Sequence, residues 1–240
     1  MVTLLTDKHV VIIGGSSGIG LATAKAAHTQ GAYVYIAGRS EDKLNRAVKD
    51  IGSRVQSYVV DVSDEDSIKK MLNQLDRIDH LLVTASDIVF GYLLDTDSTS
   101  LKSTLDTRFW GSYFSAKHAV PKMNGQGSIT FMSGTSTWKP SLGGAVAAAS
   151  GAAVESLART LALELSPIRV NTISAGAIDT PVLDTIFGDK KIDVIEHLTS
   201  ILPVKRMGQP EDVADAALYL MKNPYSTGTV LSVDGGVLLT

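Results

Sequence analysis

The sequence predicts a doubly wound α/β fold: a single parallel sheet of about seven strands with helices on both faces. Three observations predict it. Short apolar runs rich in β-branched residues recur along all 240 residues. Helical patterns separate them. The first run opens into a glycine-rich turn followed by an alanine-rich helix. The runs lie at 9–13, 33–37, 55–60, 79–84, 128–132, 168–173 and 229–233. Several are apolar on both faces, as strands buried from both sides are.

Taken in order, HVVII at 9–13 runs into Gly14-Gly15-Ser16-Ser17-Gly18-Ile19-Gly20 and then a helix. After the second strand, Ser40 can cap a helix with Glu41 and Asp42 in its first turn, and Gly52 ends it. Ser63, with Asp66 three residues on, reads as a capping box for the next helix. The fourth strand ends in Thr84-Ala85-Ser86-Asp87, and the fifth runs into the loop TSTWKPS. In the long apolar helix that follows, Val154, Leu157, Leu161 and Leu165 form one stripe at helical spacing. Residues 181–208 break the rhythm with Pro181, Gly188, Pro203 and Gly208 around IDVIEHLTSIL, an excursion placed to cover a ligand crevice. Pro210 suits a first helical position, with Glu211 and Asp212 at the positive dipole end. There is no linker, repeat or low-complexity segment, so 1–240 reads as one domain.

Composition bounds the function. Net charge is −3, which leaves no basic field for a nucleic-acid backbone. There is no cysteine, which excludes disulfides, thiolate catalysis and Cys-ligated zinc. No His/Asp/Glu grouping has metal-ligand spacing. The first apolar run is too short for a membrane span and lacks a signal-peptide pattern, so a cytoplasmic location is the default expectation.

The glycine-rich turn is the strongest positive signal. With a strand before it, a helix after it and a second strand at the right distance, it fits a dinucleotide cradle. Glycines let the backbone approach a pyrophosphate, and the helix N-terminus presents free N–H groups to it. Ser16 and Ser17 can add hydroxyl donors. An acid ending the second strand would bind the ribose 2′-OH of NAD; here Gly38-Arg39-Ser40 stands in that place. A guanidinium can hold a 2′-phosphate in a fork and stack on adenine, so NADP(H) is the expected cofactor.

These residues resemble the short-chain dehydrogenase/reductase family over nearly the whole chain. GGSSGIG is similar to its TGxxxGIG turn, with Ile13 where the family has Thr. Asp61-Val62 is similar to its adenine-contacting Asp-Val. Ile168-Arg169-Val170-Asn171 with Ala175-Gly176 and Thr180-Pro181 is similar to its RVN…PG…T segment, with Ala175 for Pro, and Val233-Asp234-Gly235-Gly236 to its usual ending. The resemblance implies a Rossmann-type fold and a homo-oligomer, a dimer or tetramer. It implies cofactor contacts from Gly14, Ser16, Ser17, Gly18, Ile19, Gly20, Arg39, Ser40, Asp61, Val62, Ala85, Ser86, Gly176, Ile178 and Thr180.

The catalytic half departs from the family. Its Tyr-x-x-x-Lys pair falls on Ala147 and Gly151, its Ser on Gly134 beside Ser133, and its Asn on Arg108. The family's NNAG is replaced by Thr84-Ala85-Ser86-Asp87. An Ala/Gly pair cannot transfer the proton that a developing alkoxide needs. Arg108 is the first substitute candidate, able to polarise a carbonyl or bind a carboxylate, or else to form a buried ion pair with Asp87 or Asp106. Ser133 is the second. Lys139 can reach the ribose or the substrate if its loop folds inward, or remain a solvated loop charge. Asp87 can act as a base or pair with Arg108. His118 and Tyr113 read as packing or interface residues. The expected function is therefore an NADP(H)-dependent oxidoreductase acting on a small-molecule carbonyl or alcohol through a rearranged site. A catalytically silent NADP(H)-binding sensor or scaffold is the alternative. The apolar residues of the excursion (Val182, Leu183, Ile186, Phe187, Ile192, Val194, Ile195, Leu198) suggest a partly hydrophobic substrate.

Overall fold

In a computed structural model that describes residues 5–183, 188 and 191–240, seven parallel strands form one sheet in the order β3-β2-β1-β4-β5-β6-β7. The strands are β1 (His9–Ile13), β2 (Tyr33–Gly38), β3 (Val55–Val59), β4 (His80–Val83), β5 (Ser128–Gly134), β6 (Arg169–Ala175) and β7 (Val230–Val233). Each apolar run in the sequence becomes a strand, with ends moved by at most two residues.

Both faces of the sheet are covered, which is why its central strands tolerate apolar residues at every position. In β1, Val11 and Ile13 pack with Phe131, Val154 and Ile168 on one face. Val10 and Ile12 pack with Ala24, Ala27, Val213 and Ala217 on the other. The first face carries α3 (Glu65–Leu72), α5 (Gly111–Ala119) and α6 (Ala145–Glu164). The second carries α1 (Gly18–Thr29), α2 (Glu41–Ile51) and α8 (Pro210–Lys222). By length and composition alone α6 could cross a membrane. Here Val154 and Ala158 pack into the core against β5 and β6.

Helix ends follow the sequence closely but not everywhere. Ser40 accepts from the Lys43 N–H, and Gly52 closes α2 at φ 111°. The expected capping box at Ser63 is displaced by one residue. Asp64 caps α3 by accepting from the Asp66 N–H at 3.0 Å, while the Ser63 hydroxyl donates to Asp61. A carboxylate is the stronger acceptor for a helix-start amide, and it satisfies the positive dipole end as well. Pro210 opens α8 as expected, and Asp212 turns back to accept from the Gln209 N–H at 2.8 Å.

Within the excursion, α7 (Lys191–Ile201) is helical. Ile195 and Leu198 pack on a small satellite core of Leu183, Leu202 and Met207, while Ile192 stays exposed. These two side chains thus pack within the excursion. Ile186 and Phe187 lie outside the described residues.

Candidate active site

Sheet order reverses between β1 and β4, the switch point where open α/β sheets bind ligands beyond the C-terminal strand ends. The glycine turn follows β1, Arg39 follows β2, and Ala85 and Ser86 follow β4, so the sequence-selected residues converge there.

Close packing explains the glycines. A Cβ on Gly14, at φ 99°, would lie 2.4 Å from Thr84 Oγ1 and 2.6 Å from the Ala85 nitrogen. A Cβ on Gly20 would lie 2.2 Å from the Gly14 carbonyl oxygen. Both contacts are far inside van der Waals distance, so these two residues allow the turn itself to form. The ligand signal lies elsewhere, in the first turn of α1. The N–H groups of Gly18, Ile19 and Gly20 donate to no described residue, and Ser17 at the N-cap makes no side-chain cap. By contrast, Ser40, Asp64 and Asp97 each cap their own helix with a side chain. Unspent donors at the positive end of a helix suit an anionic group such as a pyrophosphate. Thr180 closes the other side of this turn: its methyl lies 3.2 Å from where a Gly18 Cβ would stand.

The remaining cofactor candidates separate into two kinds. Asp61 is fixed by its neighbours: its carboxylate accepts from the Ser63 hydroxyl at 2.7 Å and the Ser63 N–H at 2.9 Å. These bonds hold it below the ordinary carboxylate range, and the charge of Arg39 adds to the effect. Val62 packs where Gly111 allows α5 to approach; a Cβ there would lie 2.5 Å from the Val62 side chain. The Ile178 side chain is buried in the core on the β1–α8 face of the sheet. Gly176 lies against Asp234, and a Cβ on it would meet the Asp234 backbone at 2.7 Å.

Arg108 sits in a five-residue π-helical turn (Asp106–Trp110) between α4 (Ser98–Leu105) and α5. Such an inserted turn changes which side chains face inward and is frequent at functional sites. Here Thr107 and Arg108 are buried, while Trp110 projects outward onto Phe109, Tyr113 and Phe114. The guanidinium forms no ion pair among the described residues, which sets aside the alternative of a buried pair with Asp87 or Asp106. Its Nη1 donates to the Ala147 carbonyl at 3.2 Å and to Ser150 Oγ at 3.4 Å, and its buried Nε has no partner. Burial pushes it down to about 10. Nη1 also lies 3.7 Å from where a Cβ on Gly151 would stand. The cation therefore reaches, from another helix, the space beside the position of the family's lysine.

Ser133, at the end of β5, donates its hydroxyl to Glu155 Oε1 at 2.8 Å, and the Thr137 hydroxyl divides its one hydrogen between that oxygen at 3.1 Å and the Gly134 carbonyl at 3.0 Å. Glu155 is buried one helical turn beyond Gly151, on the same face of α6. The sequence reading absorbed it into an apolar helix and missed it. The signal available was a carboxylate four residues after Gly151, on the helix face where the family's lysine would lie. Ala147 is fully buried and contributes its carbonyl oxygen to Arg108.

Three further candidates have partners other than those expected of them. Lys139 donates to the backbone oxygens of Val237 and Thr240 and so pins the C-terminal turn, rather than standing as a solvated loop charge. Asp87 pairs with Arg39, its carboxylate taking both guanidinium nitrogens at 2.8 and 2.9 Å. His118 and Lys117 both engage Glu65, at 2.8 and 2.7 Å, consistent with a packing role.

The sequence model of the family described as enoyl-(acyl carrier protein) reductase matches residues 14–238. A short-chain dehydrogenase/reductase, malC, of Malbranchea aurantiaca is 35% identical over 255 residues, covering 98% of this chain and 96% of its own. The structure of the MalC reductase/Diels-Alderase from that organism superposes with a TM-score of 0.91 at 33% identity, covering 98% of each chain. A small-chain dehydrogenase solved in complex with NADPH superposes with a TM-score of 0.85 at 35% identity, covering 98% of this chain and 100% of its own. A switch-point cradle with unspent helix amides, joined to matches of this length, makes the chain a member of the short-chain dehydrogenase/reductase family.

Proposed function

We propose that the protein binds NADP(H) across the β1–β4 switch point and interconverts a carbonyl and an alcohol, with Arg108 in place of the missing tyrosine and lysine. One observation carries this reading: a buried guanidinium with no acidic partner among the described residues, lodged between Ala147 and Gly151. A buried, uncompensated cation is costly, so it suits a site where negative charge arrives with the substrate or develops in the reaction.

The first turn of α1 would hold the pyrophosphate, Arg39 the 2′-phosphate and Asp61 the adenine. When bound, NADPH supplies the hydride. Arg108 stabilises the negative charge that develops on the substrate oxygen, and water supplies the proton and leaves as hydroxide, since Ala147 and Gly151 carry no donor. Ser133 is already committed as a donor to Glu155, so its part is to hold that carboxylate and the β5 end in place. The structurally similar MalC reductase/Diels-Alderase bears on this assignment. Polarising a carbonyl serves both hydride addition and a cycloaddition, and a guanidinium with no acidic partner among the described residues can do it.

The test is NADPH turnover over a panel of aldehydes, ketones and quinones, with wild type and Arg108→Ala compared. Removal of one oxyanion-stabilising group costs about 10²–10³ in rate. The expected result is a loss of that size in kcat/KM with NADPH affinity unchanged. NADPH binding without any turnover, together with unaltered ligand affinities in Arg108→Ala, would leave the silent sensor or scaffold as the better account.

A further inference from the structure

Arg39 is already occupied. Its fork holds Asp87 through two charge-assisted bonds of 2.9 and 2.8 Å, in the bidentate geometry that a phosphate would take. The pair joins positions 48 residues apart. Arg39 follows β2 and Asp87 follows β4, and these two strands flank β1 in the sheet. The ion pair therefore spans the C-terminal end of β1, across the glycine turn.

Asp87 is also firmly rooted. Its N–H donates to Thr107 Oγ1 at 2.9 Å, and two residues on, the Val89 N–H donates to Thr104 Oγ1 at 3.1 Å. Both hydroxyls belong to the helical segment that carries Arg108. The carboxylate thus meets Arg39 from a fixed backbone.

We infer that Asp87 is a cofactor-specificity residue: its carboxylate is a built-in competitor that occupies the Arg39 fork until a 2′-phosphate displaces it. This rests on the NADP(H) reading above. One guanidinium face can accept one bidentate anion at a time, so binding an adenosine 2′-phosphate there requires the Arg39–Asp87 bonds to break. The side chains are 62% and 37% exposed, so the pair is weak and yields to a phosphate carrying more charge. A cofactor lacking the 2′-phosphate offers Arg39 no such replacement and leaves the pair in place.

The experiment is a fluorescence titration of NADPH, NADH and adenosine 2′,5′-bisphosphate against wild type, Asp87→Asn, Arg39→Ala and the double variant. The inference expects Asp87→Asn to bind NADPH and the bisphosphate about three- to fivefold more tightly, the span an exposed ion pair allows. NADH affinity should move less than twofold. In the Arg39→Ala background the same change should have less than a twofold effect on any of the three. Equal tightening for NADPH and NADH, persistence of the effect without Arg39, or no effect at all would each overturn it. The two readings fail differently. Wild type that shows no NADPH preference removes the cofactor assignment and this inference together. A preference that depends on Arg39 but ignores Asp87 removes this inference alone.

Discussion

Gly151 shows how a single position can close one mechanism and admit another. A side chain there would set its Cβ 2.7 Å from the Thr137 methyl and 3.7 Å from Arg108 Nη1. Restoring the family's lysine would therefore overpack the contact between α6 and the turn at Thr137, and would bring a second cation to a buried one. Overpacking of this kind costs about 1–3 kcal/mol. Gly151→Lys should lower the thermal midpoint by roughly 2–12 °C, given about 2–4 °C per kcal/mol for a chain of this size. Adding Ala147→Tyr should not restore activity, because Ala147 is fully buried. A wild-type melting curve for Gly151→Lys would contradict the packing argument. Ser133 answers to a different effect. Its hydroxyl is one of two donors to the buried Glu155 oxygen. Ser133→Ala leaves that carboxylate short of a partner, and loss of a hydrogen bond to a charged group costs about 1.5–3 kcal/mol. Urea unfolding should show a lowered midpoint at unchanged slope. Glu155→Gln in the same background should recover part of the loss, since it removes the charge that needs the donor.

At the level of elements, the strands were legible because each is a short apolar run between polar or glycine-rich segments, and burial on both faces leaves no competing periodicity. Caps were legible where one residue type dominated, as at Ser40 and Pro210. The start of α3 was misread because Ser63, Asp64 and Asp66 offer overlapping patterns, and local hydrogen bonding with Asp61 decided between them. The π turn at Asp106–Trp110 was not legible, since one inserted residue alters helical periodicity too little over so short a stretch. The start of α8 gives an element-scale test. Asp212 accepts from the Gln209 N–H and from both terminal nitrogens of Arg206, at 2.8 and 2.6 Å. These partners, the Arg206 hydrogen bonds first, hold its carboxyl down to about 2. The folded pKa is depressed below the unfolded value of about 4, so the associated stability is present above pH 4 and is lost as pH falls toward 2. Wild type should be more stable than Asp212→Asn by up to about 1 kcal/mol at pH 7, in the range of a lost cap. The gap should narrow across that acid window. A gap independent of pH would show that the carboxylate charge is not what the helix start uses.

Across the whole molecule, the site is defined by residues that come from different elements of the fold. Arg39 meets Asp87 because strand order reverses between β1 and β4, whereas Arg108 and Glu155 meet their partners through the packing of α6 on the π-helical turn and on β5, and spacing along the chain records neither. This is why the glycine turn and Arg39 could be selected from the sequence, while the partner of Arg39, the setting of Arg108 against α6 and the place of Glu155 could not. The same geometry makes the cofactor a tie between distant parts of the fold. The first turn of α1, the ends of β2 and β4, and Thr180 after β6 all face one crevice, so an occupant that bridges them stabilises the folded state over the unfolded one. At a hundredfold excess over its Kd, such a ligand contributes about 2.7 kcal/mol, equivalent to a rise of roughly 5–11 °C in thermal midpoint for a protein of this size. NADPH should give that rise in wild type. NADH at the same concentration should give a smaller one, because it leaves Arg39 with Asp87. Arg39→Ala should bring the two shifts together by lowering that for NADPH. Equal shifts in wild type would mean that Arg39 does not read the 2′-phosphate. The absence of any shift with either nucleotide would mean that the unspent amides of α1 serve some other anion.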